Sequence, residues 1–164
     1  MAETMGAEDR ESRICSDALD DEGYVLGYPS STGVVAKCAA GAKAYGIAYM
    51  STKNPVTGVA TANMPVAIVR KPKKAKVQYR VASTDSSIAI GDLVSTKGVG
   101  AAGYVKKHVS TAWPGTWNGT TAETISDEDA MIVGIALEAV TAPGSSYITG
   151  KIEVLLLCPI PIKQ

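Results

Sequence analysis

The chain has 164 residues, with 16 Lys plus Arg against 16 Asp plus Glu, and 46% of it is apolar without a single Phe. That length suits one domain plus a tail, and the apolar share excludes a wholly disordered chain. No apolar run approaches the ~20 residues of a membrane span, and no basic stretch followed by an apolar run opens the chain as a secretory leader would, so the expectation is a soluble cytosolic product.

The zero net charge hides an asymmetry. Residues 1–22 hold eight acids (Glu3, Glu8, Asp9, Glu11, Asp17, Asp20, Asp21, Glu22) and two Arg, a balance of −6, and the rest of the chain carries +6. Residues 1–22 therefore read as an acidic, flexible N-terminal arm. A helical turn near Ala18–Leu19 would find too little apolar surface to hold it. The body, residues 23–164, opens on Tyr24–Tyr28 and continues with a candidate strand at Val34–Lys37 and a better one at Ala44–Met50. Residues 51–63, with Asn54-Pro55 and Gly58, form an excursion. Met64–Arg70 follows, with Pro65 suited to a strand start or edge because it lacks a donor. In Lys76–Val81, Val77, Tyr79 and Val81 alternate with Lys76, Gln78 and Arg80, which predicts one core face and one charged face. Gly91-Asp92 supplies a turn between the apolar pieces Ile88–Ile90 and Leu93-Val94. Tyr104–Lys107 reads as a strand, and residues 110–129 as a long polar loop carrying Trp113 and Trp117. Met131–Glu138 and Ile152–Leu157 close the body. In Tyr45-Gly46-Ile47-Ala48 and Val133-Gly134-Ile135-Ala136, the small residues permit tight backbone approach. Short β-branched runs between Gly, Pro, Asn and Ser clusters predict an all-β domain.

Groups able to do chemistry are sparse. His108 is the one histidine. Cys15, Cys38 and Cys158 have no metal-ligand spacing and read as unpaired thiols. Gly98-Val99-Gly100-Ala101-Ala102-Gly103 has the spacing of a dinucleotide loop, but a strand pattern follows where the phosphate cradle needs a helix N-terminus. Asp127-Glu128-Asp129 lacks the alternation of a calcium loop and reads as a solvated charge run. Glu138 and Glu153 sit in strands without a polar network, so a surface role is expected rather than a glycosidase pair. No enzyme, cofactor or metal is expected.

The basic cluster is the most informative charge feature: Arg70, Lys71, Lys73, Lys74, Lys76 and Arg80 fall within eleven positions. Clustered cations suit phosphate. Against a nucleic-acid module stand the single aromatic in the cluster, the lack of stacking platforms and the acidic arm. A basic hairpin meeting an acidic partner, such as the arm of a neighbouring copy, explains both charge blocks together. A glycan-binding barrel is a further reading, with Tyr104, Trp113 and Trp117 as stacking rings.

Three motifs occur in order: Ala44-Tyr45-Gly46-Ile47-Ala48, Ile90-Gly91-Asp92-Leu93-Val94, and Val133-Gly134-Ile135-Ala136-Leu137-Glu138 followed by Gly150-Lys151-Ile152-Glu153-Val154-Leu155-Leu156. With these the chain resembles the capsid decoration (cement) proteins of tailed bacteriophages and related viruses, over most of residues 33–157. The resemblance implies a small β-barrel or β-tulip-like domain with an extended N-terminal arm. It implies a homotrimer on the outer surface of the virion, bound to the major capsid protein at threefold or quasi-threefold sites of an expanded shell that it stabilises against internal DNA pressure. The arm would then touch the capsid or a neighbouring copy. Candidate capsid or inter-subunit contacts are Arg70, Lys71, Lys73, Lys74, Lys76, Arg80, Trp113 and Trp117. No catalytic residue is implied. The alternative is a small β-barrel module for glycan or nucleic acid.

Overall fold

Runs of Val, Ile and Ala, interrupted by Gly and Pro every few residues, favour short extended segments over helices. The computed structural model describes residues 10–70, 73–96, 99–109 and 131–157, and contains no helix among them. Among the described residues nine strands form two antiparallel sheets: β1 (Arg10–Cys15), β2 (Val25–Gly27), β3 (Ala44–Ala48), β4 (Met64–Val69), β5 (Lys74–Ala82), β6 (Leu93–Ser95), β7 (Lys106–Lys107), β8 (Ile132–Ala136) and β9 (Tyr147–Leu156). The first sheet has the order β1-β4-β3-β2 and the second β5-β9-β8-β6-β7. The all-β expectation therefore holds.

The first sheet is buried on both faces. Val25, Ile47 and Val69 join Val77, Val81, Val94, Ile152 and Val154 in the core between the sheets. Their chain neighbours Leu26, Ala48 and Ile68 point the other way, into a second core with Cys15, Val66 and the covering residues Leu19, Tyr24 and Val35. Successive strand residues face opposite sides, so the continuously apolar runs of the first sheet serve two layers at once.

That second core moves the expected domain boundary. Residues 10–22 are not a flexible arm. Strand β1 pairs with β4 over its whole length, from Arg10↔Val69 to Cys15↔Met64, and Cys15 and Leu19 are completely buried. The segment is tied down further: Ser16 N donates to Val35 O (2.9 Å), Thr52 N to Leu19 O (2.8 Å), and Lys37 N to Asp17 Oδ2 (2.7 Å). Burial of Leu19 and the main-chain bonds together offset the ordering cost that its polar composition suggested would win. Of the expected arm, residues 1–9 lie outside the described residues, as does the loop at 110–129.

Among the described residues no closed barrel is formed. The ends of the second sheet approach each other at one isolated parallel bridge, Tyr79↔Val105, where Val105 N donates to Gln78 O (2.9 Å) and Arg80 N to Val105 O (3.0 Å). The two-residue strand β7 is too short to turn that bridge into a ladder.

Two glycines set how closely strands pack. A Cβ on Gly46 would lie 2.5 Å from Ile68 Cγ2 and 2.8 Å from Val69 O, and one on Gly134 would meet the main-chain oxygen of Leu155 and lie 2.5 Å from Val154 Cγ1. Both are the close approaches that the sequence echo predicts.

Candidate partner-binding face

The basic cluster is split by the fold. Arg70 leaves the end of β4 in the first sheet, whereas Lys74, Lys76 and Arg80 sit on β5 in the second. The Arg70 guanidinium lies 4.0 Å over the Tyr45 ring, and its Nη1 donates to Glu11 Oε2 (3.2 Å) and Tyr45 Oη (3.1 Å). Lys76 Nζ bridges to Glu138 Oε1 at 2.8 Å. Arg80 stacks 4.0 Å over the Tyr147 ring. The main-chain oxygen of Lys73 accepts from Leu156 N (2.8 Å), and Lys74 is exposed. Lys71, Trp113 and Trp117 lie outside the described residues, as do the Asp127–Asp129 run and Cys158.

Alternation on β5 holds for Val77 and Val81, both fully buried. It fails at Gln78, which the charged face was expected to show to solvent. Gln78 is buried because residues 22–23 cross over it: its Nε2 donates to Glu22 O (2.8 Å) and its N to Gly23 O (2.9 Å).

Acids of the N-terminal segment find cations within the same chain. Glu11 receives Arg13 Nε (2.5 Å) and Tyr45 Oη (2.7 Å) as well as Arg70. Desolvation alone would raise its carboxyl, but the hydrogen bonds from Tyr45, Arg13 and Arg70 outweigh that and hold it below the usual carboxylate value. Asp21 and Glu22 both reach Lys151 Nζ, at 3.1 and 3.5 Å, and the hydrogen bond that Lys151 donates to Asp21 pushes its ammonium up. These surface pairs are weak individually. They nevertheless use up, inside one molecule, charges that the sequence suggested were meant for a neighbour.

Chemistry-bearing residues stay apart. Glu138 is a structural staple, its Oε2 accepting Glu153 N (2.8 Å) while Oε1 takes Lys76. His108 Nδ1 lies 3.2 Å from Ser95 Oγ. Cys15 and Cys38 are buried free thiols, and burial pushes Cys38 up to about 11. Among the described residues no group of three His, Cys, Asp or Glu side chains could hold a metal ion.

The outer face of the second sheet is different in kind. Cross-strand register places Leu93 beside Ile135, Ile135 beside Leu155 and Leu155 beside Lys74. Their chain neighbours Val94, Ala136 and Val154 point inward and are completely buried, while Leu93 and Leu155 are each 37% exposed. Leu157 next to this row is exposed as well. The result is an apolar stripe across three strands with a lysine at one end and the Lys76–Glu138 pair alongside. Strand β8 is nearly all apolar, a pattern that suits cover on both faces. Its outer residue Ile135 is only half-buried, because no further layer of the described chain lies over it. Such a stripe can bury area against a protein surface; it has no convergent polar groups with which to bind or turn over a small molecule. No protein-family model matches the chain, and comparison with curated protein sequences finds no relative.

Proposed function

We propose that this chain is a structural capsid decoration protein, binding the outer surface of an expanded viral shell as a homotrimer and stabilising it against internal pressure. The observation that supports this reading is the Leu93–Ile135–Leu155 stripe on the outside of an all-β body, taken with the resemblance of its strand motifs to that group. The stripe serves as the contact between copies of the trimer, and the lysines at its edge face the major capsid protein. Many copies acting together sum modest contacts into firm attachment. The nucleic-acid alternative loses support because three of the six basic residues, Arg70, Lys76 and Arg80, are engaged by Glu11, Glu138 and Tyr147. For the glycan alternative, Tyr147 is an exposed ring already covered on one side by Arg80.

The test mixes the full chain with purified undecorated shells of tailed phages. Saturable binding, weakened by Leu155→Glu, supports the reading. Failure to bind any expanded shell, or gel-shift binding to plain DNA at moderate salt, would replace it.

A further inference from the structure

The cover that the second sheet gives to the first ends at Ile47 and Val69. These two lie opposite one another, and both belong to the core between the sheets. Toward the β3–β4 connection the same face runs on. Ser12 lies opposite Ala67 and Ile14 opposite Pro65, and Tyr49 N donates to Ala67 O (2.8 Å), which puts Tyr49 in the same row. Residues directly opposite share a face, and alternate residues along a strand keep to it. On this face Pro65 is exposed and Ala67 half-buried, whereas Val66 and Ile68 on the other face are buried. Tyr49 is 42% exposed, and the Arg10 guanidinium lies 4.1 Å over its ring. Ile14 forms the outer rim. No layer of the described chain lies over this patch.

Three features identify what fits there. The patch continues a surface that, two residues further along β4, already packs on a sheet of this fold, so it suits the flat face of another sheet about 10 Å away. The Leu93–Ile135–Leu155 stripe is such a face and, like the patch, spans three strands. Beside the stripe stand two carboxylates: Glu138, paired with Lys76, and Glu153, opposite Lys76 in the register. This acidic edge complements Arg10, the cation of the patch. The stripe of the same copy is out of reach. Val94, Ala136 and Val154 point into the core, so the stripe points away from the first sheet, while the patch faces the layer of the second. Only another copy brings the two together. We propose that the stripe of one copy packs on the Tyr49–Ala67–Pro65 patch of the next, with Arg10 against the Glu138–Glu153 edge. The inference rests on the reading of the stripe as a contact between copies, and it names the surface that the stripe meets. A contact between two different surfaces repeats head to tail and makes a ring where the rotation closes; in the trimer three such contacts close it.

The experiment places Ala67→Cys and Ile135→Cys together in the full chain carrying Cys158→Ser, Cys15 and Cys38 being buried. A short bismaleimide that spans the separation of packed sheets, about 10 Å, is expected to join copies into a ladder that stops at three. Its yield should exceed that of either single variant by about tenfold, the ratio that a preference of about 1.4 kcal/mol gives. Equal cross-linking of Ala67→Cys alone or of Ile135→Cys alone would show a surface meeting its own counterpart and overturn the proposal. A product within one chain, or no product, overturns it too. As a second readout, Tyr49→Asp should lower the sedimenting mass from trimer to monomer, and an unchanged mass counts against the patch. Shell binding is measured apart from these. A trimer that cross-links as expected but binds no shell removes the capsid reading and keeps this contact. A chain that binds shells without cross-linking removes this contact alone.

Discussion

Leu19 tests whether residues 10–22 belong to the body. Its side chain is completely buried among Cys15, Tyr24, Leu26, Val35, Val66 and Ile68, and its N and O bond to the Oγ1 and N of Thr52, each at 2.8 Å. Leu19→Ala deletes three carbons, a transfer loss of about 2.4 kcal/mol at ~0.8 kcal/mol per methylene. The cavity left behind brings the expected cost to roughly 3–4 kcal/mol, within the range of about 2–5 for buried Leu truncations. Set against a domain stability of roughly 5–15 kcal/mol, this is a large fraction. At about 2–4 °C per kcal/mol for a chain of this size, Tm should fall by about 6–16 °C. Urea unfolding should show a lower midpoint with an unchanged slope. Ile14→Ala, at a position 43% exposed, should cost under about 1 kcal/mol, as surface substitutions do. A Leu19→Ala loss no larger than that of Ile14→Ala would refute the reasoning and return the segment to the status of a loose arm.

Glycine substitutions should separate by environment. Gly134→Ala meets the Leu155 main chain, a contact that neither neighbour can vacate without breaking the β8–β9 ladder, so it should lower stability by at least ~2 kcal/mol, as overpacking does. Gly144→Ala has nothing within 4 Å and should be neutral or raise stability by up to ~1 kcal/mol through the unfolded state; thermal melts of both decide. The pH dependence of stability should include a contribution from Glu11. Its folded carboxyl is held below the ordinary value, so its stabilisation is present above that ordinary value and is lost as pH falls through the depressed one. Glu11→Gln should therefore flatten the acid side of a stability–pH profile, and an unaltered acid slope would show that the Tyr45–Arg70 cluster contributes nothing through that charge.

What the sequence made legible follows from period and residue size. The Val77 and Val81 alternation and the two close-approach glycines lie within strands where a single local cause acts. β1 was hidden because its residues that face the second core side of the sheet include Glu11 and Arg13. They are tolerated there by Tyr45 and Arg70, which come from 34 and 59 residues further along relative to Glu11. A partner that distant leaves no periodic trace. The basic cluster is close in sequence without forming one patch, for a related reason: the chain passes from one sheet to the other between Val69 and Lys74. The exposed stripe was half visible, since β8 reads as doubly covered, but the missing outer layer could not be read from β8 alone.

Strand β9 lies between β5 and β8, although it follows every other strand described in the chain, and its Lys151 clasps Asp21 across 130 residues. Until β9 arrives, β5 is therefore tied to the rest of the second sheet only at the Tyr79↔Val105 bridge among the described residues. Such long-range closure places the protein among domains that fold over milliseconds to seconds rather than microseconds. While it waits, β5 lacks the neighbour that it pairs with from Lys74 to Ala82. A nascent chain of this protein is most vulnerable to mispairing just before synthesis of β9 is finished, and the lysines along β5 act as gatekeepers during that interval.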